Sequence, residues 1–204
     1  MYKISFFIFE MILLALAGVS FSACSDDNTA EDYRNHMTDI FQDLKDNYTG
    51  YITMPDNSSR TMKATIADDT DGGVVTTKVK VGSFPIEMAL AKLYPTDWNR
   101  LQLNDAAAYE APIDSVGYQM NFMNFKTNDE FTPQTTFAFK DSKGKEHSGW
   151  AKISTIGLFC SQVGTLNLSF SVIDLVVDEA DCTSVLPITF TVTMQKVKET
   201  QTSE

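Results

Sequence analysis

The residues that could do chemistry in this 204-residue chain are few, and their spacing restricts what they could do. Cysteine occurs three times, at positions 24, 160 and 182, and histidine twice, at 36 and 147. Cys160 and Cys182 could form one disulfide in an oxidising compartment, worth about 3 kcal/mol in the chain-entropy picture. As thiols they would be ordinary core residues. Their spacing fits no zinc pattern. A cysteine nucleophile needs a histidine at its side, and nothing in the order of the chain brings His147 to Cys160. Ser148 follows His147, but the Gly-x-Ser-x-Gly turn that exposes a serine nucleophile is absent. Beside a turn, His147 is expected to be solvated and idle. Asp68, Asp69, Asp71 and Gly72 imitate the start of a calcium loop. The glutamate that closes such a loop is missing, so a solvated hairpin turn is expected instead. With 27 acidic residues some pair of carboxylates always suits a glycosidase, so no pair stands out. No catalytic residue, metal ligand or cofactor is assigned, and a hydrolase with unrecognised carboxylates ranks last.

The remaining cysteine has a different setting. Residues 1–23 carry Lys3 near their start, then an apolar stretch broken by Glu10, then Phe21-Ser22-Ala23. The run from Met11 to Phe21 has the length of a secretory core and is too short to span a bilayer. Small residues, then Cys24, then Ser25-Asp26-Asp27: this order resembles a bacterial lipoprotein junction. The resemblance implies cleavage after Ala23, a lipid on the Cys24 sulfur, and an acidic tether over 24–29. A permanent transmembrane helix is the rival reading. Ser25-Asp26-Asp27 also resembles the export tag of Bacteroidetes lipoproteins that reach the outer face of the outer membrane.

Cleavage would leave 181 residues, enough for one domain with its own core. The composition is 43% hydrophobic and 21% charged, which predicts a folded globule. At a net charge of −11, nucleic acid is excluded as a partner and anionic headgroups offer no attraction. The lipid on Cys24 would therefore be the sole hold on the membrane.

Thr29-Ala30-Glu31-Asp32 has the form of a capping box. Tyr33, Met37, Ile40, Phe41, Leu44 and Tyr48 then make one stripe, predicting an amphipathic N-terminal helix stopped at Gly50. From Tyr51 the period falls to two. Arg60 to Ala67 and Val74 to Val81, around Asp68 to Gly73, predict a hairpin. A short helix is expected over Ile86 to Tyr94, between Pro85 and Pro95, with a helical turn near Trp98 to Leu103. Further strands are expected where Val116, Tyr118, Met120 and Phe122 alternate, at Thr135 to Phe139, and at Trp150 to Ile156. Two more run from Leu166 to Val172 and from Ile188 to Met194, with serines, threonines and Asn167 on their other faces. Such alternation belongs to antiparallel sheets with one wet face. The expected fold is mainly β: an antiparallel β-sandwich or curled barrel over 30–198 with an N-terminal helix and a short inserted helix. An α+β arrangement is the alternative, and 199–204 is read as a polar tail.

The leader, Cys24-Ser25-Asp26-Asp27, the short helix, Tyr48-Thr49-Gly50-Tyr51, the Phe84-Pro85 break and the terminal strands together form a recognisable layout. It resembles the small Bacteroidetes lipoproteins of a domain-of-unknown-function family. That resemblance implies an outer-membrane anchor, exposed at the cell surface or else facing the periplasm, and no activity. Asp114-Ser115-Val116 resembles the short O-glycosylation sequon of secreted Bacteroidetes proteins, with Ser115 as acceptor. Two functions are then expected in order. The first is a non-catalytic binding or accessory module for a protein or glycan partner, which predicts exposed aromatic residues. The second is a carrier of a small apolar ligand in a barrel or inter-sheet cavity, suggested by 14 Phe and 9 Met.

Overall fold

Every second residue of the strand segments is apolar, which gives the sheet one inward face, and it curls around that face. The computed structural model describes residues 27–197. Eleven strands form among them: β1 (Asn47–Thr53), β2 (Ser59–Asp71), β3 (Val74–Phe84), β4 (Gln102–Leu103), β5 (Ala107–Gln119) and β6 (Phe122–Thr127) come first. β7 (Thr135–Lys140), β8 (Glu146–Cys160), β9 (Thr165–Val177), β10 (Ala180–Asp181) and β11 (Ile188–Lys196) follow. Helix α1 (Asp27–Leu44) precedes β1, and α2 (Glu87–Leu93) lies between β3 and β4. From His36 onward the described residues form one compact unit.

All pairings are antiparallel. They run β1–β2–β3–β5–β6–β8–β9–β11, each strand beside its neighbour in the chain, and β11 pairs with β1 again. The curled barrel is thus the form the mainly-β chain takes. The other three strands are attachments: β7 pairs with the first part of β8, β4 with β7, and β10 with the end of β9.

An eight-stranded ring is just wide enough for side chains to fill, and here they do. Phe84 meets Tyr109, Phe170 and Phe190 at centroid distances of 5.6, 5.4 and 5.6 Å. Val79, Ala111, Met123, Phe159, Leu168 and Met194 leave no surface accessible to water. A hollow would leave such surface on its lining, so these residues enclose no chamber for an apolar ligand. One polar cluster lies inside: Tyr109 Oη is 2.6 Å from Thr155 Oγ1, and the Thr155 N–H donates to Thr127 Oγ1 (2.9 Å).

Both ends are stopped. Ile40 and Leu44 of α1 join the core where β1 begins, and Tyr48 Oη donates to the Leu44 carbonyl (2.7 Å). Ile86, Ala89 and Leu90 do the same at the opposite end, where Arg60 of β2 pairs with Glu87 of α2 (2.6 Å).

The outside is divided. On β9 and β11 the outward positions from Thr165 to Ser171 and from Thr189 to Gln195 all carry hydroxyls or amides. On β2, β3 and β5 the outward rows carry Asp69, Lys78, Lys80 and Glu110, tied by ion pairs of 2.6–3.8 Å.

Several sequence expectations are corrected. Helix α1 starts at Asp27, so Thr29 to Asp32 lie within it and not at its cap. It ends at Leu44; Tyr48 and Gly50 belong to β1, because Tyr48 is drawn into the barrel core instead of continuing the helical stripe. Val116 to Phe122 is no single strand: Met120 adopts a left-handed backbone (φ 54°), and Gln119 pairs back with Phe122. The Gly72-Gly73 hairpin forms as expected, with Asp71 opposite Val74. No helix among the described residues is long and apolar enough to cross a membrane.

Candidate functional site

Outward charge and an exposed ring meet beside β5. The floor of this cleft is the outer face of β2, β3 and β5, contributing Asp71, Lys78, Glu110 and Asp114, and its wall is the segment joining β6 to β7. The opening measures about 430 Å³. Asn128 builds the wall. Its N–H donates to the Pro112 carbonyl (3.0 Å) and its Nδ2 to Asp114 Oδ1 (3.0 Å). Its Oδ1 accepts from the N–H groups of Glu130 (3.0 Å) and Phe131 (3.2 Å), and its carbonyl accepts from Thr132 Oγ1 (2.6 Å). A short polar side chain that bonds the backbone two and three residues on is the usual way to freeze a turn. The result holds the Phe131 ring 70% exposed at the mouth.

The charges of the floor are unequal. Lys78 Nζ donates to Asp69 Oδ2 (2.8 Å) and Glu110 Oε1 (2.6 Å). Those bonds raise the Lys78 proton affinity, and the bond from Lys78 lowers that of Asp69. Lys78 and Lys80 thereby offset Asp69 and Glu110. Asp71 and Asp114 have no cationic partner among the described residues, so the cleft keeps an excess of negative charge beside an apolar ring. Such a pairing attracts an ammonium or guanidinium group carried next to an apolar one.

His147 is not the solvated residue expected. Its side chain is 9% exposed and its ring stacks on Phe139 at 5.0 Å. Nδ1 donates to Asp178 Oδ2 (2.6 Å), while Nε2 lies 3.5 Å from Asp141 Oδ2 without a hydrogen bond. The bond from His147 leads in holding the Asp178 carboxyl below its ordinary range; at Asp141 backbone N–H donation from Lys145 leads. This clasp joins the β7–β8 turn to the β9–β10 turn.

The disulfide is a further correction. Cys160 and Cys182 are free thiols. Cys160 ends β8 opposite Thr165, whereas the Cys182 N–H donates to Leu175, which pairs with Ala151 nine residues up the same strand. At about 3.3 Å per residue the two lie roughly 30 Å apart along β8, far beyond the Cα separation a bridge allows. The Asp68–Gly73 turn is a solvated hairpin: Asp68 accepts from Lys45 (2.8 Å) and Thr77 (2.6 Å). No group of three or more His, Cys, Asp or Glu among the described residues is placed to hold a metal. Ser115 is exposed next to the cleft, at a bulge of β5. Ala23, Cys24, Ser25 and Asp26 lie outside the described residues, as does the tail 199–204; Asp27 opens α1.

No family model, curated protein or solved structure matches this chain.

Reading the sequence in order missed the cleft because its parts come from four separate segments. One local signal was present: Asn128 and Pro133 bracket Phe131, turn residues around a large apolar one.

Proposed function

We propose that the protein is a non-catalytic binding module, tethered outside the inner membrane through lipid on Cys24, that grips a partner at the Phe131 cleft. The observation that carries this reading is the Phe131 ring, held in solvent by the Asn128 hydrogen bonds over Asp71 and Asp114, which have no cationic partner among the described residues. An apolar ring costs free energy in water, and a loop fixed around it is the arrangement of a contact residue. A carrier would need a hollow, which the filled barrel does not offer. The outer-membrane, surface-facing anchor and the glycan acceptor role of Ser115 belong to the same proposal, resting on the sequence motifs alone.

Two experiments test it. Cys24→Ala should move the protein from the membrane to the soluble fraction of an envelope preparation; firm retention refutes the anchor. A photoreactive amino acid at position 131 should cross-link to one partner in intact envelopes, and the same probe at the exposed Val163 should not. Adding Asp71→Asn and Asp114→Asn should abolish the cross-link, and equal cross-linking from both sites would count against the cleft.

A further inference from the structure

A second surface differs from the cleft in its charge. It is the outer face of β9 from Thr165 to Ser171, of β11, of β1, and of β2 from Ser59 to Thr65. The side chains on β9 and β11 are locked in rungs: Ser169 Oγ lies 2.9 Å from Thr191 Oγ1, Thr193 Oγ1 donates to Asn167 Oδ1 (2.6 Å), and Gln195 Nε2 donates to Thr165 Oγ1 (2.8 Å). The outward positions continue across β1, from Asn47 to Thr53, and β2, from Ser59 to Thr65, and bring a single charge, Lys63. Within this field Tyr51 stands 73% exposed, opposite Thr61. On the far flank Ile156 and Leu158 of β8, 46% and 42% exposed, lie directly beside Ser169 and Asn167.

Strand propensity alone does not explain the pattern. Threonine suits any outward strand position, yet the outward rows of β3 and β5 on the same barrel include the charged Lys78, Lys80 and Glu110. In a chain of net charge −11, the outward positions of Thr165–Ser171, Thr189–Gln195, Asn47–Thr53 and Ser59–Thr65 carry no carboxylate; Asp174 of β9 and Asp69 of β2 lie beyond these stretches. Electrostatics therefore sorts its ligands. An anionic polymer meets the repulsion of the whole protein, and a cationic one finds no countercharge here. An uncharged ligand meets neither. The groups that remain are hydroxyls and amides with spare donors and acceptors, one aromatic plate and an apolar margin. They match a molecule that is itself hydroxylated on its edges and carbon–hydrogen on its faces.

We infer that this face binds a neutral polysaccharide, with Tyr51 stacking on a sugar ring and the threonine rungs of β11 bonding its hydroxyls. The site is separate from the Phe131 cleft and does not depend on it.

The test is native affinity electrophoresis of the purified full chain in gels containing hydroxyethylcellulose, pullulan or galactomannan, with alginate as the anionic control. At least one neutral polymer should retard the protein and alginate should not. Tyr51→Ala should weaken the retardation by about tenfold, the scale of one lost aromatic contact, and Tyr51→Phe should retain it. Thr191→Glu, which plants a charge in the rungs, should abolish it, while Phe131→Ala leaves it unchanged. Far-ultraviolet circular dichroism and the melting temperature of each variant establish that it is folded. The inference is overturned if no neutral polymer retards the protein, if folded Tyr51→Ala and Thr191→Glu bind as well as the parent, or if alginate binds equally. It is also overturned if sedimentation without polysaccharide shows a dimer that Thr191→Glu dissociates, since the face would then serve a second copy of the chain.

Discussion

Tyr109 shows how a single buried group ties the barrel interior to pH. Burial pushes its phenol up to about 12, with Thr155 and Thr127 bonding it in the opposite sense. The Tyr48 phenol is raised as well, by burial first and then by Asp46 and Asp43. A phenol whose folded proton affinity exceeds the unfolded one stabilises the fold fully below about pH 10, and that contribution fades as pH climbs toward 12. For Tyr109 it amounts to about 3 kcal/mol. Absorbance at 295 nm should therefore show Tyr48 and Tyr109 ionising only together with unfolding. Ionisation of Tyr48 and Tyr109 near pH 10 in a folded protein would contradict their buried placement. Tyr109→Phe should cost about 1 kcal/mol in urea denaturation, the size of one buried hydroxyl bond. His147 teaches the reverse lesson. Its neighbours in sequence, a turn and Ser148, say nothing of Asp178, which a later hairpin brings to Nδ1.

At the scale of the element, β8 depends on an absent side chain. A Cβ on Gly157 would collide with the ring of Phe125, its partner on β6, which is 2% exposed and cannot swing into solvent. Gly157→Ala should therefore cost about 1–3 kcal/mol by overpacking, and Phe125→Leu in the same chain should recover part of it. Gly82→Ala is the control, because nothing lies within 4 Å of a Cβ there; its midpoint in urea should hardly move. Equal effects at both glycines would mean that backbone freedom, not ring packing, sets the cost. The elements themselves were legible to different degrees. β2, β3, β9 and β11 announce themselves by strict alternation and by Gly72-Gly73. The β5–β6 turn does not, since Met120 takes a positive φ with neither glycine nor proline beside it. Tyr48 fitted the helical stripe as well as the strand, and only packing inside the barrel decides between them.

For the molecule as a whole, the mainly-β class could be read from the sequence, but the closure of the sheet could not. Alternation says which face of a strand is buried and nothing about which strands meet, and the pairing of β11 with β1 joins residues nearly 150 positions apart. Removing Ile188–Lys196 should leave β9 and β1 with raw edges and convert a monodisperse protein into aggregates on size-exclusion chromatography; a soluble, cooperatively melting product would show that the ring is not needed. That pairing also bears on timing. Hairpins β2–β3, β5–β6 and β8–β9 join adjacent segments and close only short loops. Closing the circuit needs the long-range pairing of β11 with β1, so a folding chain carries two open flanks until that pairing forms, and its protection from aggregation is decided in that interval.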